Sequence, residues 1–179
     1  MKFSPFNDFS YTIPQKKPQS LGVSTKWCTF ANRKVLCAPE SMLQSETIYN
    51  YIKVYHPVWA IDMPDGCPPD EIDIPVNHSF FRLAQHVDTF DALDFKSYAE
   101  AAPLRDWGER LPLAVGLSLI DNEAKARKSL KLPMFRKYKG IIALVLNPTD
   151  GVVKQTGVHR SHYTWWRTKN FQMLNLKML

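Results

Sequence analysis

The chain is poor in cysteine, in long apolar runs and in the glycine signatures of nucleotide loops. Its three cysteines, Cys28, Cys37 and Cys67, are an odd number with no C-x-x-C pair. That favours reduced thiols in a cytosolic protein over a disulfide framework. No apolar stretch approaches the ~20 residues of a membrane span, and the start at Met1, Lys2, Phe3 and Ser4 lacks the apolar core of a secretory signal. No membrane attachment is expected. Neither G-x-x-x-x-G-K-[ST] nor G-x-G-x-x-G occurs, which removes Walker-type and Rossmann-type phosphate loops. Gly116 and Ser118 begin like a nucleophile elbow, but Ile120 stands where the second glycine belongs, so a serine hydrolase is not indicated. His159 and His162 are three apart with no Cys or Glu at ligand spacing, and no metal site is expected. Internal repeats and low-complexity tracts are also missing.

What is present describes a globular protein of ordinary size. At 179 residues and 45% hydrophobic content, the chain buries roughly 70% of its unfolded surface without disulfide or metal staples. The net charge of +6 hides a polarity along the chain: residues 1–60 sum to +4, 61–110 to −7 and 111–179 to +9. These are either solvated faces that partly neutralise one another or a basic surface for a phosphate-bearing partner. The last third interleaves its basic residues with Phe135, Tyr138, Tyr163, Trp165 and Trp166, which supplies phosphate contacts and stacking platforms together.

Residues 1–26 hold Pro5, Pro14 and Pro18 without sustained periodicity and read as an extended arm. Residues 27–179 are expected to form a single α+β domain, with a few helices on a mixed or antiparallel sheet. Within it, 27–38 reads as a hairpin bending at Asn32 and Arg33, with a buried apolar role for Cys28 and Cys37. Met42, Ile48, Ile52 and Tyr55 are at helical spacing and Pro57 stops them, which predicts one helix over 41–55 starting near Ser45 or Glu46. The turn-rich segment 62–72 reads as a loop, 78–84 as a strand, and 89–102 as a loop leading to a short helix ended by Pro103. Strands follow at 113–120, 139–146 and 152–155, with a helix over 123–131 capped by Asp121 or Asn122 and a turn at 147–151. Residues 162–166 and 171–176 read as the last strands.

Polar residues inside apolar strands are costly unless satisfied. Arg82, within Phe80, Phe81 and Leu83, either points outward from an edge strand or offers its planar fork to a phosphate or carboxylate in a pocket. Ser118 sits between Leu117 and Leu119 as a small residue or a site residue. The adjacent Trp165 and Trp166 point to opposite faces of a strand, one expected in the core and the other lining a cleft or an interface.

Taken in order, Phe81 and Arg82, then Asp94 to Ser97, then Gly116 to Leu119 with a helix beginning near Asp121, resemble the layout of ADP-ribosyltransferase-like domains. That group includes the NAD-consuming toxin domains of bacterial toxin–antitoxin and defence loci. The resemblance spans roughly residues 78–166 and implies NAD as co-substrate, with Arg82 on its phosphate or ribose and Ser118 on the nicotinamide-side strand. Tyr98 or Tyr163 would stack on nicotinamide, and Trp165 is a further stacking candidate. Many such enzymes carry a glutamate on a late strand, whereas the last glutamate here is Glu123; His159 or His162 would take its place. The function implied is an NAD-consuming enzyme, the toxin or effector of such a locus, with an antitoxin as partner. The competing reading is a non-enzymatic basic module that binds nucleic acid or an acidic protein.

Overall fold

The computed structural model describes residues 27–30, 33–36, 41–157 and 159–179. Its contacts divide the chain into two units, Met1–Cys37 and Ala38–Leu179. In the first, strands β1 (Trp27–Phe30) and β2 (Arg33–Leu36) pair antiparallel with Phe30 opposite Arg33. Arg33 is thus a strand residue, while Asn32 lies outside the described residues, as does the arm expected over 1–26.

The second unit is built on one eight-stranded sheet. Its strands are β3 (Met42–Thr47), β4 (Glu71–Val76), β5 (His78–Ala84) and β6 (Leu117–Ile120), then β7 (Gly140–Leu146), β8 (Gly151–Gln155), β9 (His162–Arg167) and β10 (Lys177–Met178). They lie in the order β10-β7-β5-β6-β9-β8-β4-β3, and every pairing is antiparallel. With four short helices, α1 (Ile48–Tyr55), α2 (Tyr98–Ala101), α3 (Leu111–Ala114) and α4 (Glu123–Leu130), the unit is α+β.

Local sequence explains most of the helix ends. Thr47 caps α1 by accepting from the Asn50 amide at 3.3 Å, and Asn122 caps α4 by accepting from the Lys125 amide at 3.0 Å. Ser97 and Glu100 form a reciprocal capping box on α2. The helix expected over 41–55 begins only at Ile48. Its first half is the edge strand β3, which pairs residue for residue with β4, itself a strand that Pro75 and the acidic turn disguised. The strand expected over 113–120 shortens to β6, because α3 occupies Leu111–Ala114. At Gly116 a Cβ would overlap the Thr164 Cγ2, so only glycine lets β6 approach β9 there. The last strand is the two-residue β10, beyond a 3₁₀ turn at Met173–Asn175, rather than 171–176.

Both faces of the sheet are covered. On one, Phe80, Leu119, Ile142, Leu144, Val153 and Trp165 pack together with Phe95; on the other, Trp166 and Val152 pack with Tyr51, Ile72 and Ile74 beneath α1. Trp165 and Trp166 are 0% and 1% exposed. The expectation that one of them lines a cleft is therefore corrected, since each fills a core. Their indole N–H groups are satisfied inside, donating to the carbonyls of Asp150 at 3.2 Å and Pro112 at 3.0 Å.

Candidate functional site

Strand alternation places His162 and Thr164 on the same face of β9 as Trp166, with Ser118 opposite Thr164 and Ile120 opposite His162 in register on β6. Around Trp166 this face is closed by the second core. Farther along it opens into a cavity of about 680 Å³ whose floor carries Ser118, Ile120, His162 and Thr164. The walls come from the segment around α2 and α3, through Tyr98, Trp107 and Leu113, and from Phe135 and Tyr138 after α4. The volume lies within the range of small-molecule sites.

Arg82 stands at the cavity edge. By alternation it belongs with Phe80 and Ala84 on the core face. However, β5 and β6 share a single bridge at Phe81 and Ile120 and then part. The guanidinium fills the opening: Nε donates to the Asp94 carbonyl, Nη1 to the Ser118 carbonyl at 2.9 Å and Nη2 to the Lys96 carbonyl at 3.3 Å. These three carbonyls occupy three of its five N–H donors. Burial lowers the Arg82 pKa, opposed by Tyr138, Tyr98 and Asp94 nearby.

Asp94 is the one acid among the lining residues, and it is 4% exposed. Its carboxylate accepts from the Gln85 amide at 3.0 Å and the Asp91 amide at 3.3 Å, so both oxygens are engaged in holding the loop. Lys96, Arg110 and Lys137 line the rim. The electrostatic character of the cavity is thus cationic, and among the described residues that line it no carboxylate is free to face a ligand. Two of the wall rings are also paired with cations: the Arg105 guanidinium lies 4.3 Å from the Trp107 ring centroid and the Lys137 ammonium 4.9 Å from that of Tyr138. The Tyr98 pKa is raised, by burial first and by the neighbouring Tyr138 second, opposed by Arg82 and Ser118.

The floor has its own polar chain. His162 Nδ1 lies 3.0 Å from the Thr156 carbonyl oxygen and 3.1 Å from its hydroxyl, and that hydroxyl lies 2.7 Å from the hydroxyl of Thr164.

Of the residues singled out from the sequence, the cavity brings together Arg82, Tyr98, Ser118 and His162. His159 is an exposed turn residue whose carbonyl accepts from the His162 amide at 3.0 Å, and it does not line the cavity. Tyr163 and Trp165 face the opposite side, Tyr163 packing edge-on against Phe80 at 5.4 Å and Trp165 against Phe171 at 4.8 Å. As stacking partners for a cofactor in this cavity both are corrected: period-2 alternation turns them into the core. Sequence reasoning passed over Trp107, Tyr138 as a wall residue, Arg110 and Thr156. The signal available was Arg105 two residues before Trp107, and Lys137 next to Tyr138. Among the described residues no group of three or more His, Cys, Asp or Glu side chains could hold a metal, and no helix is long and apolar enough to cross a membrane. No family model, no curated protein and no solved structure matches this chain.

Proposed function

We propose that the cavity is a nucleotide site and that the nucleotide is NAD, consumed there in the manner the sequence resemblance implies. The observation that carries the nucleotide reading is the pair of cation-bearing aromatic rings, Arg105 on Trp107 and Lys137 on Tyr138, in the wall of one partly open cavity. A ring stacks on an aromatic face, and a phosphate chain finds Lys96, Arg110 and Lys137 at the rim with no opposing free carboxylate. The choice of NAD rests on the resemblance. In the simplest reaction water attacks the ribose carbon, nicotinamide leaves with the electron pair of the broken C–N bond, and the water proton passes to solvent. We place this activity in the cytosol, in a toxin or effector held in check by a protein partner.

Calorimetric titration with NAD, ADP-ribose and ATP, together with chromatographic detection of nicotinamide, tests both parts. Dissociation constants below about 1 mM for these ligands are expected, along with nicotinamide release from NAD. Binding without release removes the enzymatic part. Absence of binding to any of the three removes the nucleotide site. Binding only to a single-stranded RNA, with a steep salt dependence, would instead favour the basic-module reading.

A further inference from the structure

We infer that the cavity floor is a ribose site, in which Nε2 of His162 accepts a hydrogen bond from a sugar hydroxyl; this rests on the nucleotide reading above. The Thr156 carbonyl oxygen can only accept, and it lies 3.0 Å from His162 Nδ1. A lone pair on Nδ1 would be repelled there, so in the neutral ring the proton sits on Nδ1 and the lone pair on Nε2. The Thr156 hydroxyl, held against Thr164 at 2.7 Å, flanks the same nitrogen at 3.1 Å and fixes the ring further. Among the described residues nothing hydrogen-bonds to Nε2, and His162 lines the cavity.

The consequence is chemical selection within the cavity. A phosphate or carboxylate offers only acceptors and cannot bond a lone pair, so the anionic part of a ligand is turned away from His162 toward the rim cations. A sugar hydroxyl is both donor and acceptor. It can donate to Nε2 while a neighbouring hydroxyl of the same sugar accepts from Ser118, which stands opposite Thr164 and so diagonal to His162 across the β6–β9 pair, about 7–8 Å away. The floor therefore complements a vicinal diol better than a phosphate, and the diol's two hydroxyls can engage His162 and Ser118 together. His162 acts as a specificity-determining residue, and Thr156 as the residue that positions it.

The test compares ATP with 2′,3′-dideoxy-ATP by calorimetry at one fixed pH, on the wild type, His162→Leu and His162→Gln. The wild type is expected to bind ATP about tenfold more tightly than the dideoxy ligand, the effect of one hydrogen bond lost in a partly enclosed site. His162→Leu should weaken ATP binding about tenfold while leaving the dideoxy affinity within about twofold. His162→Gln, whose amide oxygen accepts, should keep part of the preference. A purely structural role for His162 would weaken both ligands alike and would overturn the assignment. Equal wild-type affinity for the two ligands overturns the ribose site while leaving the nucleotide site standing, whereas binding of neither overturns both. Should His162→Leu fail to fold, the wild-type ratio and the glutamine variant decide the question alone.

Discussion

Nη1 of Arg82 donates to the main-chain carbonyl of Ser118 at 2.9 Å, across the place where β5 and β6 part company. An arginine that read as a ligand-holding residue is thus a tie between two strands and a loop. The carbonyls of Asp94, Lys96 and Ser118 would otherwise lack donors at a gap in the sheet. What the cavity can still receive from this guanidinium is its two remaining N–H groups.

Replacing Arg82 should therefore damage the fold before it damages any binding. Arg82→Ala removes three charge-assisted hydrogen bonds, and a loss of about 3 kcal/mol in unfolding free energy is expected, with Arg82→Lys recovering only part because an ammonium cannot span three carbonyls. Urea denaturation of the three proteins measures this. A variant as stable as the wild type would show that the ties contribute nothing and would return Arg82 to a purely ligand-binding role.

Trp107 offers the converse case. Its Nε1 is buried and has no hydrogen-bond partner, so Trp107→Phe gives up no bond and relieves an unsatisfied donor. Thermal melts should place this variant within about 1 kcal/mol of the wild type, in either direction. Trp107→Ala removes the ring on which a base would stack, and nucleotide affinity should fall by about 1–3 kcal/mol. Calorimetry on the two variants separates ring from N–H: a phenylalanine variant as impaired as the alanine one would mean that the ring is not the contact.

How far the sequence reached depends on the kind of signal. The helix α4 was legible because Asn122 caps it and helix formers fill it, and β5 and β7 because their apolar runs are bounded by turns. The boundary between β3 and α1 was not, because Met42 and Ile48 satisfy a helical spacing as well as they satisfy a strand followed by a helix, and only pairing with β4 decides between them. Likewise Ser118 and His162 could be picked out as polar residues in apolar strands, but that both line one cavity depends on the β6–β9 register. The two faces of β9 show the limit most plainly. Alternation correctly separates Trp165 from Trp166, yet which face is covered, and by what, is set by α1 and the loops, not by the strand itself.

Cys67 should be unreactive in the native protein. Its thiol lies 3.9 Å from the Met63 sulfur and 3.6 Å from the Pro112 carbonyl, and burial pushes its pKa up to about 11. At pH 8 the thiolate is a small minority species, so iodoacetamide followed by peptide mapping should label Cys67 many times more slowly in buffer than in urea. Equal rates in the two conditions would show that the segment opens freely.

Alkaline pH should unfold the protein through Tyr51 among other groups. This tyrosine is 1% exposed, donates its hydroxyl to the Pro148 carbonyl at 2.8 Å, and has its pKa raised from 10.0 chiefly by burial and secondarily by Tyr55 and Asp150. In the unfolded chain the phenol ionises near its ordinary value of 10.0, while in the native state it keeps its proton. Above that pH the unfolded state therefore binds fewer protons than the native one, and stability falls as pH rises; below it the contribution is fully present. Urea unfolding at pH 8, 9, 10 and 11 should show a loss that steepens above 10. Tyr51→Phe should be about 1 kcal/mol less stable at pH 8, because the Pro148 carbonyl loses its donor. Its decline above pH 10 should be shallower than that of the wild type, since it carries one fewer group whose ionisation favours the unfolded chain. Parallel pH profiles for the two proteins would mean that Tyr51 ionises as readily when folded as when unfolded, which its burial between α1 and the sheet does not permit.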